Sequence, residues 1–303
     1  MSLSTSGTSG VVRSVVRTTE SWTSSFGAVS SLTRLSTASR VWVPGPLAST
    51  MNLFAAVHAT WSGAALVDGP GAATHAHLTP ALLHRHLADL AGVTVVVAGD
   101  RLSPGLRDRA VESGVVVHHY YGAAELSFVA WGAHAEDLRP FPGVAVEVRS
   151  GEVWVRSPFV CTRYDGPPGP LRRDADGSCT VGDRGVLADG RLIVLGRDDA
   201  VTTGGETVTV SDVEPLLQAA ATGEIVVLGI PHDVLGQALA VVLTSSSDLE
   251  PVRGAARSSL AGAQRPRVWF HVAELPLTDA GKVDRPALVS LVSGGDECVR
   301  RMA

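Results

Sequence analysis

The first residues with chemistry to offer stand almost at the start of the chain, in the stretch Thr5-Ser6-Gly7-Thr8-Ser9-Gly10-Val11-Val12-Arg13. Successive backbone N–H groups in such a turn can cradle phosphate oxygens, the hydroxyls add donors, and Arg13 supplies a full positive charge. No Gly-Lys-Ser/Thr ending follows, so this is not a Walker loop. By composition alone a polar tail is the commoner reading, because the stretch has little apolar surface to offset the entropy of ordering it. A second stretch, His119-Tyr120-Tyr121-Gly122-Ala123-Ala124-Glu125, follows a β-branched run at 115–117. Open α/β sheets hold ligands beyond the carboxyl ends of their strands, which is where that segment is expected. A third, Thr180-Val181-Gly182-Asp183-Arg184-Gly185, offers a carboxylate able to accept both hydroxyls of a ribose, beside an arginine able to donate. It is followed by Leu195-Gly196-Arg197-Asp198-Asp199 and Gly204-Gly205-Glu206. The fourth, Pro276-Leu277-Thr278-Asp279-Ala280-Gly281-Lys282-Val283-Asp284-Arg285, sets an ammonium on a glycine-containing turn, suited to reaching an anion and stabilising developing charge.

Each of these has a plainer reading. Asp183 serves equally to cap a hairpin turn, Glu125 as a surface carboxylate, Lys282 as a solvated cation and Glu206 as a polar residue in a surface turn. His75-Ala76-His77, His84-Arg85-His86 and His118-His119 invite a metal ion. Zinc, however, requires three or four ligands converging at about 2 Å, and His84 and His86 diverge if their segment is helical. No metal centre is expected from the histidines.

The elements that must position these residues follow from periodicity and turn signals. Runs of β-branched residues at 93–98 and 115–117 flank the polar segment 101–113, with Pro104 near its start, which predicts strand, helix, strand and a parallel crossover. Residues 53–67 are rich in apolar side chains and read as a buried helix. Between 144 and 195 short alternating stretches such as Glu152-Val153-Trp154-Val155-Arg156 are cut by Asp165-Gly166, Asp176-Gly177 and Asp189-Gly190, the signature of antiparallel hairpins. After Gly196 the pattern changes again: helical spacing at 212–221, a strand at 225–230 and its hairpin partner at 239–243. The expected fold is therefore α/β, a mixed sheet core with crossover helices and a β-hairpin subdomain at 1–196, plus a smaller, mobile α+β domain at 197–303.

With 303 residues, 45% of them hydrophobic, and a formal charge of -5, the chain can build a packed core and offers no electrostatic reason to bind nucleic acid or an anionic membrane. Its three widely spaced cysteines, Cys161, Cys179 and Cys298, fit neither a disulfide framework nor a zinc knuckle and suggest a reducing, cytoplasmic setting. No apolar run approaches the roughly 20 residues that span a bilayer. A small-molecule partner is the expectation.

Taken together and in order, the four stretches resemble the adenylate-forming superfamily of acyl-CoA synthetases, aryl acid ligases and peptide-synthetase adenylation domains. The opening loop is similar to the family's Thr-Ser-Gly-Thr-Thr-Gly-x-Pro-Lys signature, with Val12 and Arg13 where Pro and Lys are usual. Tyr121-Gly122-Ala123-Ala124-Glu125 resembles its Tyr-Gly-x-Thr-Glu segment, with Ala124 in place of the hydroxyl. Gly182-Asp183 resembles the ribose-binding aspartate, Arg197-Asp198-Asp199 the hinge, Gly204-Gly205-Glu206 the glycine turn after it, and Gly281-Lys282 the carboxy-terminal lysine motif. The hinge is one residue short, leaving either Asp198 or Asp199 as the pivot. Family members normally carry a further region before the phosphate loop, so the resemblance implies a short form.

What the resemblance implies is ATP-dependent activation of a carboxylic acid as an acyl-adenylate, then transfer to the thiol of coenzyme A or of a carrier protein's phosphopantetheine. On this reading Thr5, Ser6, Gly7, Thr8, Ser9, Gly10, Tyr121, Gly122, Asp183, Arg197, Gly204 and Gly205 bind the nucleotide and thiol cofactors. Lys282, Arg13 and Glu125 are catalytic, with Mg2+ held at Glu125. His119 lines either the adenine or the acyl site, and the acyl pocket draws on residues 42–63, Ala98-Gly99-Asp100 and 120–129. An open wall of apolar surface would be covered in a homodimer. The rival is a degenerate adenylate-fold protein serving as a nucleotide-binding or partner-binding scaffold.

Overall fold

The computed structural model describes residues 1–5, 13–196, 200–203, 206–279, 281–296 and 298–302. The chain forms two compact units, one of Met1–Val194 with Asp279–Lys282, the other of Leu195–Thr278 with Val283–Ala303.

The first unit is built on a seven-stranded sheet in the order Ala65–Val67, Arg40–Trp42, His75–Leu78, Thr94–Val97, Val116–Ala123, Ser127–Gly132 and Arg139–Pro140. The first five strands run parallel; Ser127–Gly132 pairs antiparallel with Val116–Ala123, and Arg139–Pro140 pairs antiparallel with Ser127–Gly132. The crossover expected from sequence is present: helix Pro104–Glu112 joins Thr94–Val97 to Val116–Ala123, with Ser103 Oγ accepting from Leu106 N at 3.3 Å as its cap. Val95, Val96 and Val97 are all buried, as a parallel strand covered on both faces requires. Two expectations are corrected here. The strand expected at 115–117 continues through Ala123, so most of the histidine-tyrosine-glycine stretch is part of the strand rather than beyond its end. The helix expected at 53–67 spans Thr50–Trp61 and gives way after Gly63 to the edge strand Ala65–Val67. Glycine ends the helix, and the apolar run continues because a strand follows.

Two further sheets complete the unit. The hairpins expected between 144 and 195 form a six-stranded sheet that includes Ala145–Arg149, Glu152–Arg156, Arg184–Ala188 and Arg191–Gly196. Ser2–Thr5 and Arg13–Val16 pair antiparallel, Thr5 opposite Arg13, and Arg163–Asp165 adds a third strand. The opening strand thus joins a small sheet of its own rather than the large one.

In the second unit strands Ile225–His232 and Gly236–Leu243 form the expected hairpin, and Val268–Val272 lies parallel to the latter. Helices Val210–Gln218 and Arg285–Gly294 are tied to this sheet by Arg285, which donates to both carboxylate oxygens of Glu214 at 2.8 and 2.9 Å and to Val227 O at 2.8 Å. Among the described residues no helix is long and apolar enough to cross a membrane.

The large sheet buries several histidines. Burial pushes His77 down to about 3 and His58 and His119 down to about 4, and Nδ1 of His77 has no partner among the described residues. Folded, these rings stay neutral well below the ordinary value near 6.5; unfolded, they take up protons below it. Stability is therefore full above pH 6.5 and falls with pH towards 4. At pH 5 each ring is expected to cost about 2 kcal/mol relative to pH 7. Urea unfolding at the two pH values checks this, and equal stabilities would contradict it.

Candidate active site

Strand Arg13–Val16 ends beside a buried cation. Val15 is wholly buried, and Arg17 turns inward with only 2% of its surface exposed. Its Nη1 donates to Phe159 O at 3.2 Å and its Nη2 to Ala124 O at 2.5 Å. Burial lowers the guanidinium's pKa while Cys161 and Glu125 raise it. Arginine keeps its proton regardless, so the unit carries a positive charge in its core. A buried carboxylate, Glu125, 5% exposed, acts on it through space. Its Oε1 accepts from the Tyr164 hydroxyl at 2.9 Å, that hydroxyl oxygen accepts from Leu171 N at 3.0 Å, and the Glu125 carbonyl accepts from Cys161 N at 2.7 Å. The surface-carboxylate reading of Glu125 is set aside by this burial.

The segment leading to Glu125 is aimed by strand alternation. Tyr120 and Gly122 point to one face; Tyr121 points to the other, where its hydroxyl donates to Asp183 Oδ2 at 2.6 Å. A register shift separates Tyr121 from Gly122 in the pairing with Ser127–Gly132. Gly122 cannot be replaced there, since a Cβ would stand 2.1 Å from Ser127 O. Asp183 is 8% exposed, and its carbonyl accepts from Val153 N at 2.8 Å. The tyrosine bond fixes its carboxylate in a way that a simple turn cap would not need.

On the other face a cleft of about 110 Å³ opens, walled by Trp22, Phe54, Tyr120 and Phe128. Gly99, Gly122, Ala124 and Lys282 complete its rim. Lys282 reaches it because its turn is held within the first unit, with Thr79 Oγ1 donating to Gly281 O at 2.5 Å. Its stem lies against Gly99, where φ is +90° and a Cβ would come within 3.1 Å of Lys282 Cε. A half-buried lysine in a cleft is not the solvated cation of the plainer reading.

No family model matches the chain. The 2-succinylbenzoate–CoA ligase of Salmonella typhimurium is 30% identical over 228 residues, covering 71% of this chain and 50% of the ligase. The structure of Escherichia coli MenE with bound OSB-AMS superimposes with a TM-score of 0.79 at 25% identity, over 96% of this chain and 68% of that one. ATP-bound MatB from Rhodopseudomonas palustris shares the fold at 21% identity, with a TM-score of 0.79 over 95% of this chain and 67% of its own. The chain belongs to the adenylate-forming superfamily. It spans between 50% and 66% of the length of the first curated relatives it matches.

Set against the superfamily's motifs, the expected residues divide into groups. Gly122 and Lys282 border one cleft, and Tyr121 and Asp183 are bonded to each other behind it. Glu125 lies in the same segment but turns into the core. Arg13 does not line this cleft; its Nε donates to Pro168 O at 3.1 Å. Thr5 pairs with Arg13 through strand register. Ser6, Gly7, Thr8, Ser9, Gly10, Arg197, Asp198, Asp199, Gly204 and Gly205 lie outside the described residues.

Two residues of the buried network next to the cleft escaped the sequence reading, Arg17 and Tyr164. The signal for Arg17 was a cation closing the alternating run Arg13-Ser14-Val15-Val16; for Tyr164, an aromatic between two charged residues just ahead of the Asp165-Gly166 turn. Burial raises the Tyr164 phenol well above its ordinary range, and the Glu125 carboxylate beside it adds to the shift. Tyr164→Phe removes a donor from Glu125 and an acceptor from Leu171 N together. The expected loss is about 1–3 kcal/mol in urea unfolding, and an unchanged midpoint would contradict the network.

Proposed function

We propose that the chain activates a carboxylic acid with ATP as an acyl-adenylate and transfers the acyl group to a thiol. The carboxylate oxygen attacks the α-phosphorus and pyrophosphate leaves; the thiol sulfur then attacks the acyl carbonyl, AMP leaves, and the thiol proton goes to solvent. The observation that carries this reading is the cleft in which Lys282 meets the strand segment holding Tyr120 and Gly122. Bringing carboxylate and triphosphate together sets two anions against each other, and a positioned ammonium offsets that repulsion as charge builds on the phosphate.

The roles assigned to single residues are proposals of the same kind. Asp183, oriented by Tyr121, accepts the ribose hydroxyls. Magnesium arrives with the nucleotide as part of the substrate. An ion that keeps several waters and takes one or two carboxylates besides phosphate oxygens is compatible with a single Glu125 carboxylate. Among the described residues no group of three or more acidic, histidine or cysteine side chains is poised for a metal. For the thioester step the second unit would turn about Asp198 or Asp199, drawing the 279–282 turn with Lys282 away from the first unit, and present Gly204-Gly205 to the thiol. The relatives named as CoA ligases support free coenzyme A as the acceptor over carrier-protein phosphopantetheine, and an enzyme over the scaffold reading.

Lys282→Ala is expected to slow pyrophosphate release by a factor of about 10² to 10³, while leaving thioester formation from supplied acyl-adenylate largely intact. Asp183→Ala should instead weaken nucleotide binding itself. Rapid-quench measurement of the two half-reactions, with nucleotide binding by calorimetry, separates these effects. Equal loss of both half-reactions in Lys282→Ala would contradict the assignment.

A further inference from the structure

The walls of the Lys282 cleft say more about the acid than that it is an acid. Trp22 and Phe54 meet edge to face with ring centroids 5.7 Å apart, as do Phe54 and Phe128 at 4.9 Å. Tyr120 and Phe128 approach to 4.5 Å, so the four rings form one continuous aromatic surface. Offset and edge-to-face arrangements of this kind favour a further ring over a flexible chain.

Shape and charge narrow the choice. The cleft holds about 110 Å³ and is open on one side. A ring can lie against the aromatic walls with its carboxylate projecting towards the open rim, where a flexible chain would find no comparable edge or face partners. Among the described residues that line the cleft, Lys282 is the one cation, and no Asp or Glu lines it. That cation is committed to the carboxylate under activation. A second carboxylate would have to sit unpaired against aromatic walls, which costs several kcal/mol for a buried charge without a partner. Ser49 and Ser127 place hydroxyl-bearing residues on the lining, which suits a neutral polar substituent. The Tyr120 phenol, raised by burial, stays neutral and adds no charge of either sign.

We infer that the acid is an uncharged, single-ring aromatic monocarboxylate of benzoate size, and not a dicarboxylate or a long-chain fatty acid. The inference rests on the cleft being the acyl site of the activation reaction above.

Calorimetric titration of the full chain with benzoate, malonate, 2-succinylbenzoate and octanoate tests it. Benzoate is expected to bind at least tenfold more tightly than the other three. Met51, half-buried on the cleft lining, offers the reciprocal change: Met51→Arg adds a second cation and should weaken benzoate about tenfold while bringing malonate to parity. If that variant fails to fold by circular dichroism, the ranking on the unaltered chain decides alone. Malonate, 2-succinylbenzoate or octanoate binding as tightly as benzoate, or no binding of benzoate, would overturn the inference, as would a folded Met51→Arg with an unchanged ranking. Benzoate that binds but yields no pyrophosphate with ATP would instead count against the activation reading and leave the pocket assignment standing.

Discussion

The first unit is organised around a charge it cannot release to water. Arg17 holds a guanidinium in the core, and the Glu125 carboxylate nearby is almost as deeply buried. Isolated, either charge would cost far more than a typical domain's margin of stability. The carbonyls of Phe159 and Ala124 hydrogen-bond the guanidinium, the Tyr164 hydroxyl hydrogen-bonds the carboxylate, and the two charges act on each other through space. The constraint reaches far along the chain: it ties residue 17 to residues 124, 125 and 159, and through Tyr164 to Leu171. Four separate strands or loops cannot shift independently without uncovering charge.

That constraint bears directly on the cleft. Ala124 accepts from Arg17 and also lines the cleft, so Arg17 fixes the end of the segment whose start carries Tyr120, Tyr121 and Gly122. Strand alternation then separates two tasks along a few residues, with Tyr121 turned to Asp183 and Tyr120 to the aromatic wall. Rigid support beneath a site whose chemistry is done by a more adaptable lysine is the arrangement expected of preorganised electrostatic catalysis. The cation buried in the fold, Arg17, and the cation proposed to serve the reaction, Lys282, are different residues.

How far this could be read from the residues alone depended on range. The crossover at 94–123 was legible because β-branched runs, a proline-led helix and a strand all lie within a short span. The hairpins after residue 144 were legible because Asp-Gly pairs mark their turns. The extension of strand Val116–Ala123 through the glycine was not, because Gly122 reads as a turn signal until its close approach to Ser127 is known. The helix Thr50–Trp61 was drawn too long for the converse reason, an apolar run shared by a helix and the strand after it. At the site, Lys282 and Asp183 stood out through their glycine neighbours, whereas Arg17 had no motif. Its importance comes from partners more than a hundred positions away, which no local pattern encodes.

The most direct test of the buried charge pair is a double-mutant cycle on urea unfolding with Arg17→Met, Glu125→Gln and the two combined. Each single change removes one of two buried charges that act on each other through space and is expected to destabilise the fold, whereas the double variant should be more stable than the sum of the two losses allows by about 0.5–3 kcal/mol. Strictly additive losses would show that the two charges do not compensate each other, and the account would fall with them.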